Sequence, residues 1–341
     1  ASMMAARQVF MEHCDHVRQL LLLEPRGYPC QNANYVLESS LPGAAFGFVI
    51  AEQNKIYPLM SGHNCICVAT ALLESGLVPM PAGGGTIHFG LEAPVGLIEI
   101  TAECSADGKA ESITLRNAAS FVEALDIQIS VPDIGMVTVD IAFGGMWYAV
   151  VDVKTLPLHL ALVPENGREI ARIGEMIKTA CREQHPVCHP IHTEYTGVDI
   201  LVFCEAGSTG SSAALQDTSA APLLPSAVYA KNAVVMSKGE LQWDVPQTHT
   251  GMLDRSPCGT GTCAVMAVLY QRGKLALLQS FHHRSIVNSL FVGRLEEETQ
   301  VAGKRAVIPS ITGSGYVTQY CEIVVDPLDP FPNGFTVGDI W

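Results

Sequence analysis

The chain has 341 residues, of which 48% are hydrophobic, and its formal net charge at pH 7 is −14. This length and apolar content suffice for two domains of ordinary size, each with its own core. The strongly negative charge argues against nucleic acid and anionic membranes as partners. It does not exclude a small anionic substrate, because backbone N–H groups can bind an anion locally.

The cysteine content is the next global feature. The 11 cysteines are an odd number without regular spacing, as expected for reduced thiols rather than a disulfide framework. The first residues lead directly into a helical pattern without a signal peptide, and no apolar run reaches transmembrane length. We therefore expect a cytoplasmic protein that does not bind membranes.

The first part of the chain contains one predicted helix and two predicted strands. Residues 7–24 have the apolar spacing of a helix, and residues 35–37 and 45–51 resemble strands. The second strand is almost entirely apolar, which is typical of a strand covered on both faces. Residues 57–60 then lead to Ser61 and to the first of two predicted central helices.

The middle of the chain is predicted to be mostly strand. Residues 137–143 alternate between apolar and polar and end at Gly144-Gly145, and we place the crossover to a second domain near Asp152. Helical spacing follows over residues 165–184, and residues 206–226 are typical of an exposed flexible loop. The other strands predicted between these landmarks cover residues 97–104, 110–116, 120–131, 147–153 and 198–204.

Cysteine and histidine crowd together after the predicted helix, which raises the question of a zinc site. Their spacing fits no common zinc finger, and two of the histidines precede proline. We interpret the cluster as crowding within a loop and expect no metal site there. The residues concerned are Cys181, His185, Cys188, His189 and His192.

Residues 254–262, with the sequence DRSPCGTGT, form the most informative stretch. They precede an apolar run over residues 263–273, so Cys258 is predicted at the N-terminus of a buried helix. Such a position lowers the pKa of a thiol, and its free N–H groups can bind a carboxylate. The structural alternative is a buried cysteine in a glycine-rich turn.

An upstream segment repeats this pattern. Ser61 corresponds to Cys258, Gly62 to Gly259 and Gly76 to Gly273, with a separation of 197 residues in every case. The repeat predicts two similar halves whose helix N-termini hold one small carboxylate between Ser61 and Cys258. The alternative is chance matching of glycine and apolar positions.

These segments resemble the proline racemase family. The resemblance rests on DRSPCGTGT, on Met-Ser-Gly-His-Asn at 60–64, and on the motifs EPRG at 24–27, FGG at 143–145 and PSITG at 309–313. The motifs occur in the family's order and span nearly the whole chain. The family includes proline racemases, 4-hydroxyproline 2-epimerases and trans-3-hydroxy-L-proline dehydratases.

The resemblance implies a fold and a domain division. The fold would be α/β (α+β) and diaminopimelate-epimerase-like, with two similar domains that each wrap a curved sheet around a central helix. The active site would lie in the interdomain cleft. The first domain would comprise residues 1–151 plus 321–341, and the second residues 152–320.

The resemblance also implies roles for individual residues. Cys258 and Ser61 would be catalytic, and Asp254 would bind the substrate amino group, although a turn-capping Asp is the structural alternative. No cofactor and no metal are expected, and the expected partner is a small imino acid; we leave open whether the protein is a homodimer. The implied substrate contacts come from Gly62, His63, Asp254, Gly259 and Thr260.

Ser61 departs from the family pattern, and this difference determines the functional hypothesis. The usual family racemase has two cysteines as its bases, and a serine hydroxyl is a much poorer base than a thiol. Trans-3-hydroxy-L-proline carries its hydroxyl on the same face as its Cα hydrogen, so dehydration needs only one strong base. We therefore expect a dehydratase that forms Δ1-pyrroline-2-carboxylate, although family dehydratases often carry Cys and then Thr at these positions.

Two alternatives remain open. The first is 4-hydroxyproline 2-epimerase or proline racemase activity, including as a side activity of the same site. The second is a binding protein that has lost its chemistry with Ser61, which the complete motif around Cys258 argues against.

Overall fold

The computed structural model describes residues 2–28, 30–193, 195–206 and 227–337. The loop predicted over residues 206–226 therefore lies, apart from its first residue, outside the described residues. Contacts within the chain divide it into two compact units. The first unit comprises residues 1–116 and 312–340, and the second comprises residues 117–311.

The first unit contributes five neighbouring strands to the sheet, in the order β1-β2-β3-β4-β5. Only β2 and β3 are parallel, and α3 forms the crossover between them. Because α3 packs against both β1 and β5, the two ends of this order, the sheet curves around the helix. The elements are α1 (Met3–His13), α2 (Asp15–Leu22), β1 (Asn32–Leu37), β2 (Ala44–Glu52), α3 (Gly62–Glu74), β3 (Gly85–Ala93), β4 (Gly96–Cys104) and β5 (Ala110–Arg116).

The helix predicted over residues 7–24 is two helices that meet at Cys14. Asp15 starts the second helix, and its carboxylate accepts hydrogen bonds from Arg18 Nε at 2.6 Å and from the Tyr57 hydroxyl at 3.0 Å. A carboxylate in the first turn of a helix is favourable because the N-terminus carries partial positive charge. Apolar spacing alone did not reveal this second start.

The second unit has strand order β14-β13-β12-β10-β9-β8-β7-β6, and β6 also pairs with β14. The sheet is therefore closed. Parallel pairs occur between β8 and β9 and between β10 and β12. The elements are β6 (Ser120–Val131), β7 (Gly135–Phe143), β8 (Trp147–Asp152), α4 (Gly167–Gln184), β9 (Ile200–Ala206), β10 (Val228–Ser237), β11 (Gly251–Leu253), α5 (Gly259–Gln271), β12 (Ser280–Arg284), β13 (Leu290–Val301) and β14 (Lys304–Gly313).

Two helices cover the sheet of the second unit. Helix α5 packs against β6, β7, β8 and β13, and it connects the region of β10 to the parallel strand β12. Helix α4 packs against β6, β9, β10 and β11 and belongs to a core that includes Trp147, Ala149 and Val151 of β8. Side chains alternate along a strand, so Tyr148 is on the opposite face of β8, towards α5.

The internal repeat is confirmed at the level of structure. Helices α3 and α5 each have 13 residues, and their first and last residues keep the separation of 197. Each is followed by a glycine with positive φ, 77° at Gly76 and 66° at Gly273, a conformation that glycine adopts readily at helix ends. Ser61 and Cys258 occupy equivalent N-cap positions.

The units divide at positions that differ from the predicted domain boundaries. Asp152, the predicted crossover, ends β8, which pairs with both β7 and β9 inside the second unit. The second unit instead begins at Asn117, and the chain returns to the first unit at Thr312 rather than near residue 321. Within the described residues, no helix has the length and apolarity that crossing a lipid bilayer requires.

Candidate active site

Cys258 forms the N-cap of α5 with an unusual backbone conformation, φ 62° and ψ 115°. A non-glycine residue at such a φ costs about 1–3 kcal/mol and persists only where its surroundings impose the conformation. The Thr262 backbone N–H and hydroxyl both donate to the Cys258 carbonyl, at 2.8 and 2.7 Å. The Cys258 N–H donates to Ser256 Oγ at 3.1 Å. These hydrogen bonds hold the strained residue in place.

Three buried, uncharged polar side chains pack against the Cys258 loop from the side of the sheet. Asn232 of β10 donates from Nδ2 to the Pro257 carbonyl at 2.7 Å, and Thr262 Oγ1 lies 2.9 Å from His283 Nδ1 of β12. Asn232, Thr262 and His283 are fully buried. Burial lowers the pKa of His283 to about 3, so its imidazole is neutral at physiological pH.

The Cys258 thiol is almost completely buried and is surrounded by hydrogen-bonding groups. Its Sγ lies 3.3 Å from the Tyr148 hydroxyl and 3.8 Å from Thr260 Oγ1, and it accepts a hydrogen bond from the backbone of Gly261. Burial, followed by the charge of Asp254, raises the pKa of the thiol to about 11 even though these hydrogen bonds oppose the rise. The lowered thiol pKa expected at a helix N-terminus is therefore not found, because desolvation outweighs the effect of that position.

Asp254 lies at the end of β11, in the same loop, and is only 8% exposed. Its Oδ1 accepts a hydrogen bond from the Ser256 N–H at 2.8 Å, which is the turn-capping contact considered as the structural alternative. Its charge also acts on Cys258. Asp254 thus shapes the loop and contributes the nearby negative charge.

The first turn of α5 carries Gly259 and Thr260. The first helical hydrogen bond to the N-cap comes from Thr262, and the Gly261 N–H donates to Cys258 Sγ. The N–H groups of Gly259 and Thr260 therefore lack acceptors within the helix and are suited to binding an anion. The Thr260 hydroxyl makes a short hydrogen bond with the Tyr148 hydroxyl.

The FGG motif packs directly on this turn. A Cβ at Gly144 would lie 2.2 Å from the Thr260 carbonyl oxygen, and one at Gly145 would lie 2.8 Å from Thr260 Cγ2. The Gly144 carbonyl accepts a hydrogen bond from Asn117 Nδ2 at 3.0 Å. Close approach of the turn to the helix therefore requires glycine at position 144.

Ser61 is the N-cap of α3 in the first unit, with an ordinary extended conformation, φ −152° and ψ 124°. Its hydroxyl oxygen accepts a hydrogen bond from Asn64 Nδ2 at 2.9 Å, and Asn34 Nδ2 donates to Asn64 Oδ1 at 2.8 Å. Because the serine oxygen is an acceptor in this contact, its own proton can be donated to a ligand.

Gly62 and His63 form the first turn of α3. His63 Nε2 lies 3.1 Å from Asn64 Nδ2 and 3.2 Å from Asn32 Nδ2. Both amide nitrogens are hydrogen-bond donors, so these contacts suit a His63 Nε2 that accepts. His63 is half-buried, and its backbone belongs to the N-terminal turn that can bind an anion.

Within each unit the predicted residues come together. Cys258, Asp254, Gly259 and Thr260 share one loop and helix start in the second unit. Ser61, Gly62 and His63 share the corresponding position in the first. The sequence interpretation missed Tyr148, Asn232 and His283, because nothing in the local sequence of their strands distinguishes these residues from their neighbours.

The loop with crowded cysteine and histidine has its own hydrogen bonds. Cys188 forms an isolated β-bridge with Thr196, and His189 Nδ1 accepts the backbone N–H groups of Ile191 and His192 at 3.2 and 2.9 Å. Over the described ranges, no group of three or more His, Cys, Asp and Glu side chains is arranged to hold a metal ion.

Comparisons with known proteins place the chain in a family. The sequence profile described as "Proline racemase" matches residues 1–223 and 231–336. The 4-hydroxyproline 2-epimerase 1 of Rhizobium rhizogenes is 35% identical over 327 residues, which cover 96% of this chain and 84% of that protein. The crystal structure of a hydroxyproline epimerase from Agrobacterium vitis, with bound trans-4-hydroxy-L-proline, has a TM-score of 0.80 and 33% identity over 100% of this chain and 88% of its own.

A more distant structure shows how widely the fold extends. A phenazine biosynthesis protein of the PhzF family from Bacillus anthracis has a TM-score of 0.51 at 12% identity, over 87% of this chain and 85% of its own. This likeness concerns the fold alone, and it agrees with an α+β protein built from two similar sheet-and-helix units. The profile match over most of the chain and the identity to the epimerase identify the chain as a member of the proline racemase family.

Proposed function

We propose that this protein is an isomerase that inverts Cα of 4-hydroxyproline, with Cys258 as the principal base. The observation that carries the proposal is the Cys258 thiol at the N-terminus of α5, beside N–H groups that can bind a carboxylate. The relatives support the choice, since the two that share 33–35% identity with this chain are named hydroxyproline epimerases. They favour the isomerase over the dehydratase that the serine alone suggests.

The proposed binding mode uses backbone and carboxylate groups. The substrate carboxylate would accept hydrogen bonds from the N-terminal turns that carry Gly62-His63 and Gly259-Thr260. The substrate ammonium would pair with Asp254. These contacts strengthen as charge moves onto the carboxylate during carbanion formation, so they lower the barrier to removing the Cα proton.

The Cys258 thiol would become an effective base only once the substrate is bound. Its pKa is raised to about 11, with burial as the main cause and the charge of Asp254 second. An ammonium paired with Asp254 offsets that negative charge and places a positive charge near the sulfur. Binding the substrate would therefore lower the pKa of Cys258 at the moment when a thiolate is required.

Ser61 would supply the proton on the other face of Cα. Its oxygen accepts from Asn64, so its proton is available for donation. Inversion in the reverse direction requires the serine to accept the Cα proton, and an alcohol does this poorly without activation. We therefore expect Cys258 and Ser61 to differ in how well they accept and donate the Cα proton.

A second candidate is dehydration of trans-3-hydroxy-L-proline, which Ser61 favours because one strong base suffices. The Cys258 thiolate would take the Cα proton, the C3–O bond would break, and the thiol would return that proton to the departing hydroxide as water. The enamine product then tautomerises to Δ1-pyrroline-2-carboxylate. Both candidates share the first step, removal of the Cα proton.

One experiment separates the candidates. The protein is incubated in deuterium oxide with trans-4-hydroxy-L-proline, trans-3-hydroxy-L-proline or proline, and NMR follows the products. Inversion with deuterium at Cα of the 4-hydroxy substrate supports the isomerase, whereas loss of the hydroxyl from the 3-hydroxy substrate supports the dehydratase. Binding of these compounds without exchange or elimination would reject both activities in favour of a binding protein.

A further inference from the structure

Tyr148 is within hydrogen-bonding distance of the sulfur of the proposed base. Its hydroxyl lies 3.3 Å from Cys258 Sγ and forms a short hydrogen bond with Thr260 Oγ1. Thr260 Oγ1 in turn lies 3.8 Å from Cys258 Sγ. The three groups form a closed triangle of one thiol and two hydroxyls within the second unit.

The surrounding backbone fixes the tyrosine ring against the cysteine. A Cβ at Gly261 would lie 3.2 Å from both Cys258 Sγ and Tyr148 Cε1. Any larger residue at position 261 would therefore press on both the ring and the thiol. Tyr148 is fully buried on β8, so its hydroxyl cannot exchange these partners for bulk water.

The tyrosine is a permanent hydrogen-bond donor at this site. Burial, followed by the charge of Cys258, raises the pKa of Tyr148 well above its ordinary value, so the phenol stays protonated at working pH. A phenol also has lone pairs and can accept a hydrogen bond. The phenol can therefore hydrogen-bond with the sulfur of Cys258 both as a thiolate and as a thiol.

We propose that Tyr148 stabilises the thiolate of Cys258 by donating a hydrogen bond to Sγ, with Thr260 fixing the position of its hydroxyl. When the thiolate takes the Cα proton, the S–H group donates to the tyrosine oxygen, and the tyrosine proton turns to Thr260 Oγ1. No proton leaves the tyrosine in this exchange. Only the direction of the hydrogen bonds reverses, so the buried sulfur has a partner before and after the transfer.

The charged groups near the triangle explain why a neutral donor is needed. Asp254 opposes ionisation of Cys258, and Asp199, which precedes β9, opposes ionisation of Tyr148. Cys263 of α5 is the further ionisable group that interacts with Cys258. Hydrogen bonds from Tyr148, the Gly261 backbone and Thr260 act in the opposite direction and favour the thiolate.

The inference rests on the proposed function, because it assumes that Cys258 is the base, but it can be tested without turnover. In Tyr148→Phe the ring is kept and the donor is lost. Alkylation of Cys258 by iodoacetamide, followed by mass spectrometry of its peptide across a pH series, reports the thiolate fraction. We expect the Tyr148→Phe profile to move to higher pH by about one unit, since a hydrogen bond to a charged group contributes roughly this much.

Kinetics provides the second readout. The acid limb of kcat/KM should move to higher pH in Tyr148→Phe, with a loss of roughly tenfold below the pKa and little change in KM, since a shift of one pKa unit changes the thiolate fraction tenfold. Tyr270→Phe is the matched control. Tyr270 lies at the other end of α5 and bonds Glu298 and Arg305, so its loss should leave both pH profiles unchanged.

Replacement of Tyr148 by 3-fluorotyrosine covers the case in which Tyr148→Phe does not fold. This phenol is more acidic and a stronger donor, so the alkylation profile should move to lower pH. Profiles of the folded variants that coincide with wild type would overturn the inference. If wild type acts on no hydroxyproline, the proposed function fails, while the alkylation profiles still decide the role of Tyr148.

Discussion

Cys258 combines two costs in one residue, a strained backbone and a buried thiol with a raised pKa. Strain of this kind persists only where the surroundings determine the conformation, and such positions cluster at functional sites. Ser61, at the equivalent position, carries neither cost. The difference agrees with the unequal roles that we propose for the two N-caps.

The first prediction concerns Cys258. Cys258→Ala should abolish both Cα exchange and dehydration, and Cys258→Ser should lose at least about 100-fold in kcat, as expected when a general base becomes ineffective. Activity of wild type should rise with pH towards the thiol pKa, because the thiolate is the active form. Rates are measured by deuterium exchange at Cα across pH, with circular dichroism as the control for folding. A Cys258→Ala variant that still exchanges the Cα proton would contradict the assignment.

The second prediction concerns Ser61. Ser61→Ala should remove epimerisation, because inversion needs a proton from the second face, but should reduce dehydration only mildly. Ser61→Cys should raise epimerisation relative to dehydration. The ratio of the two products, measured by NMR on both substrates, is the readout. If Ser61→Ala destroys dehydration as completely as Cys258→Ala does, Ser61 is an activated base and the one-base mechanism fails.

At the scale of elements, α5 is held by the strands and turns that pack against its first turn. The FGG turn after β7 approaches the backbone of Thr260, while Asn232 of β10 and His283 of β12 support Pro257 and Thr262 from below. The helix start is therefore fixed from several directions. Substitutions in the residues that pack against this helix start should therefore change the position of Cys258.

The third prediction tests the FGG turn. Gly144→Ala should destabilise the protein by about 1–3 kcal/mol or more, the usual cost of overpacking. The added Cβ would collide with the Thr260 carbonyl oxygen and the Ala264 nitrogen, both backbone atoms, so we also expect a lower kcat. Gly239→Ala is the control, since Gly239 is exposed and an added Cβ there meets no atom within 4 Å. Urea unfolding of both variants is the measurement, and equal stabilities would contradict the packing argument.

The fourth prediction concerns the neutral histidine beneath the loop. The pKa of His283 is about 3 in the folded protein, below the ordinary 6.5, so the unfolded chain binds the proton more readily. Its contribution to stability is therefore complete above pH 6.5 and is lost as pH falls towards 3. Linkage gives a loss of about 2 kcal/mol between pH 7 and pH 5.

The readout for His283 is the change in the free energy of unfolding between pH 7 and pH 5, rather than its value at either pH. His283→Gln should lose this part of the pH dependence even if it is less stable overall. His88→Gln, at an exposed position, is the control and should keep the wild-type difference. Denaturant unfolding at pH 7 and pH 5 supplies all the values, and an unchanged difference in His283→Gln would refute the prediction.

Local sequence patterns predicted the positions of the two central helices and of the residues at their starts. The apolar runs and glycines placed α3 and α5, and Ser61 and Cys258 were predicted at their starts because the cues lie within a few residues. Tyr148 and Cys258 are 110 residues apart, and Asn232 and His283 are 51 apart, so their meeting depends on strand order. The raised pKa of Cys258 was missed for the same reason, since burial comes from distant strands.

At the scale of the whole molecule, the chain has two compact units with separate buried clusters. One cluster joins Met3, Val49, Ala51 and Tyr57 in the first unit, and a larger one surrounds α4 in the second. Chains with several compact units often unfold in more than one step. Variants confined to one unit should therefore affect one step.

Glu92 provides the fifth prediction. Burial raises its pKa, but hydrogen bonds from Met3, Ser39 and Ser40 outweigh this and hold the pKa at about 2. Its contribution to stability is therefore present above pH 4.5 and is lost as pH falls towards 2. Glu92→Gln should cost about 1–3 kcal/mol, because one amide nitrogen cannot accept the same hydrogen bonds.

Calorimetry tests this prediction at the level of the units. We expect two unfolding components, with Glu92→Gln lowering the midpoint of one and His283→Gln lowering that of the other. A single two-state transition that both variants shift equally would show that the units unfold as one body.

The unequal N-caps also constrain the kinetics of any inversion. Ser61 is extended and Cys258 has a positive φ, so exchanging the two side chains would not exchange the positions of their reactive atoms. An enzyme cannot alter the equilibrium between two epimers. The Haldane relation ties the two kcat/KM values to that equilibrium, so with an equilibrium constant near one a faster turnover number in the direction initiated by the thiol is balanced by a higher Michaelis constant in that direction. The asymmetry of the two backbones would appear as a preferred direction at saturation and would vanish from the final ratio of epimers.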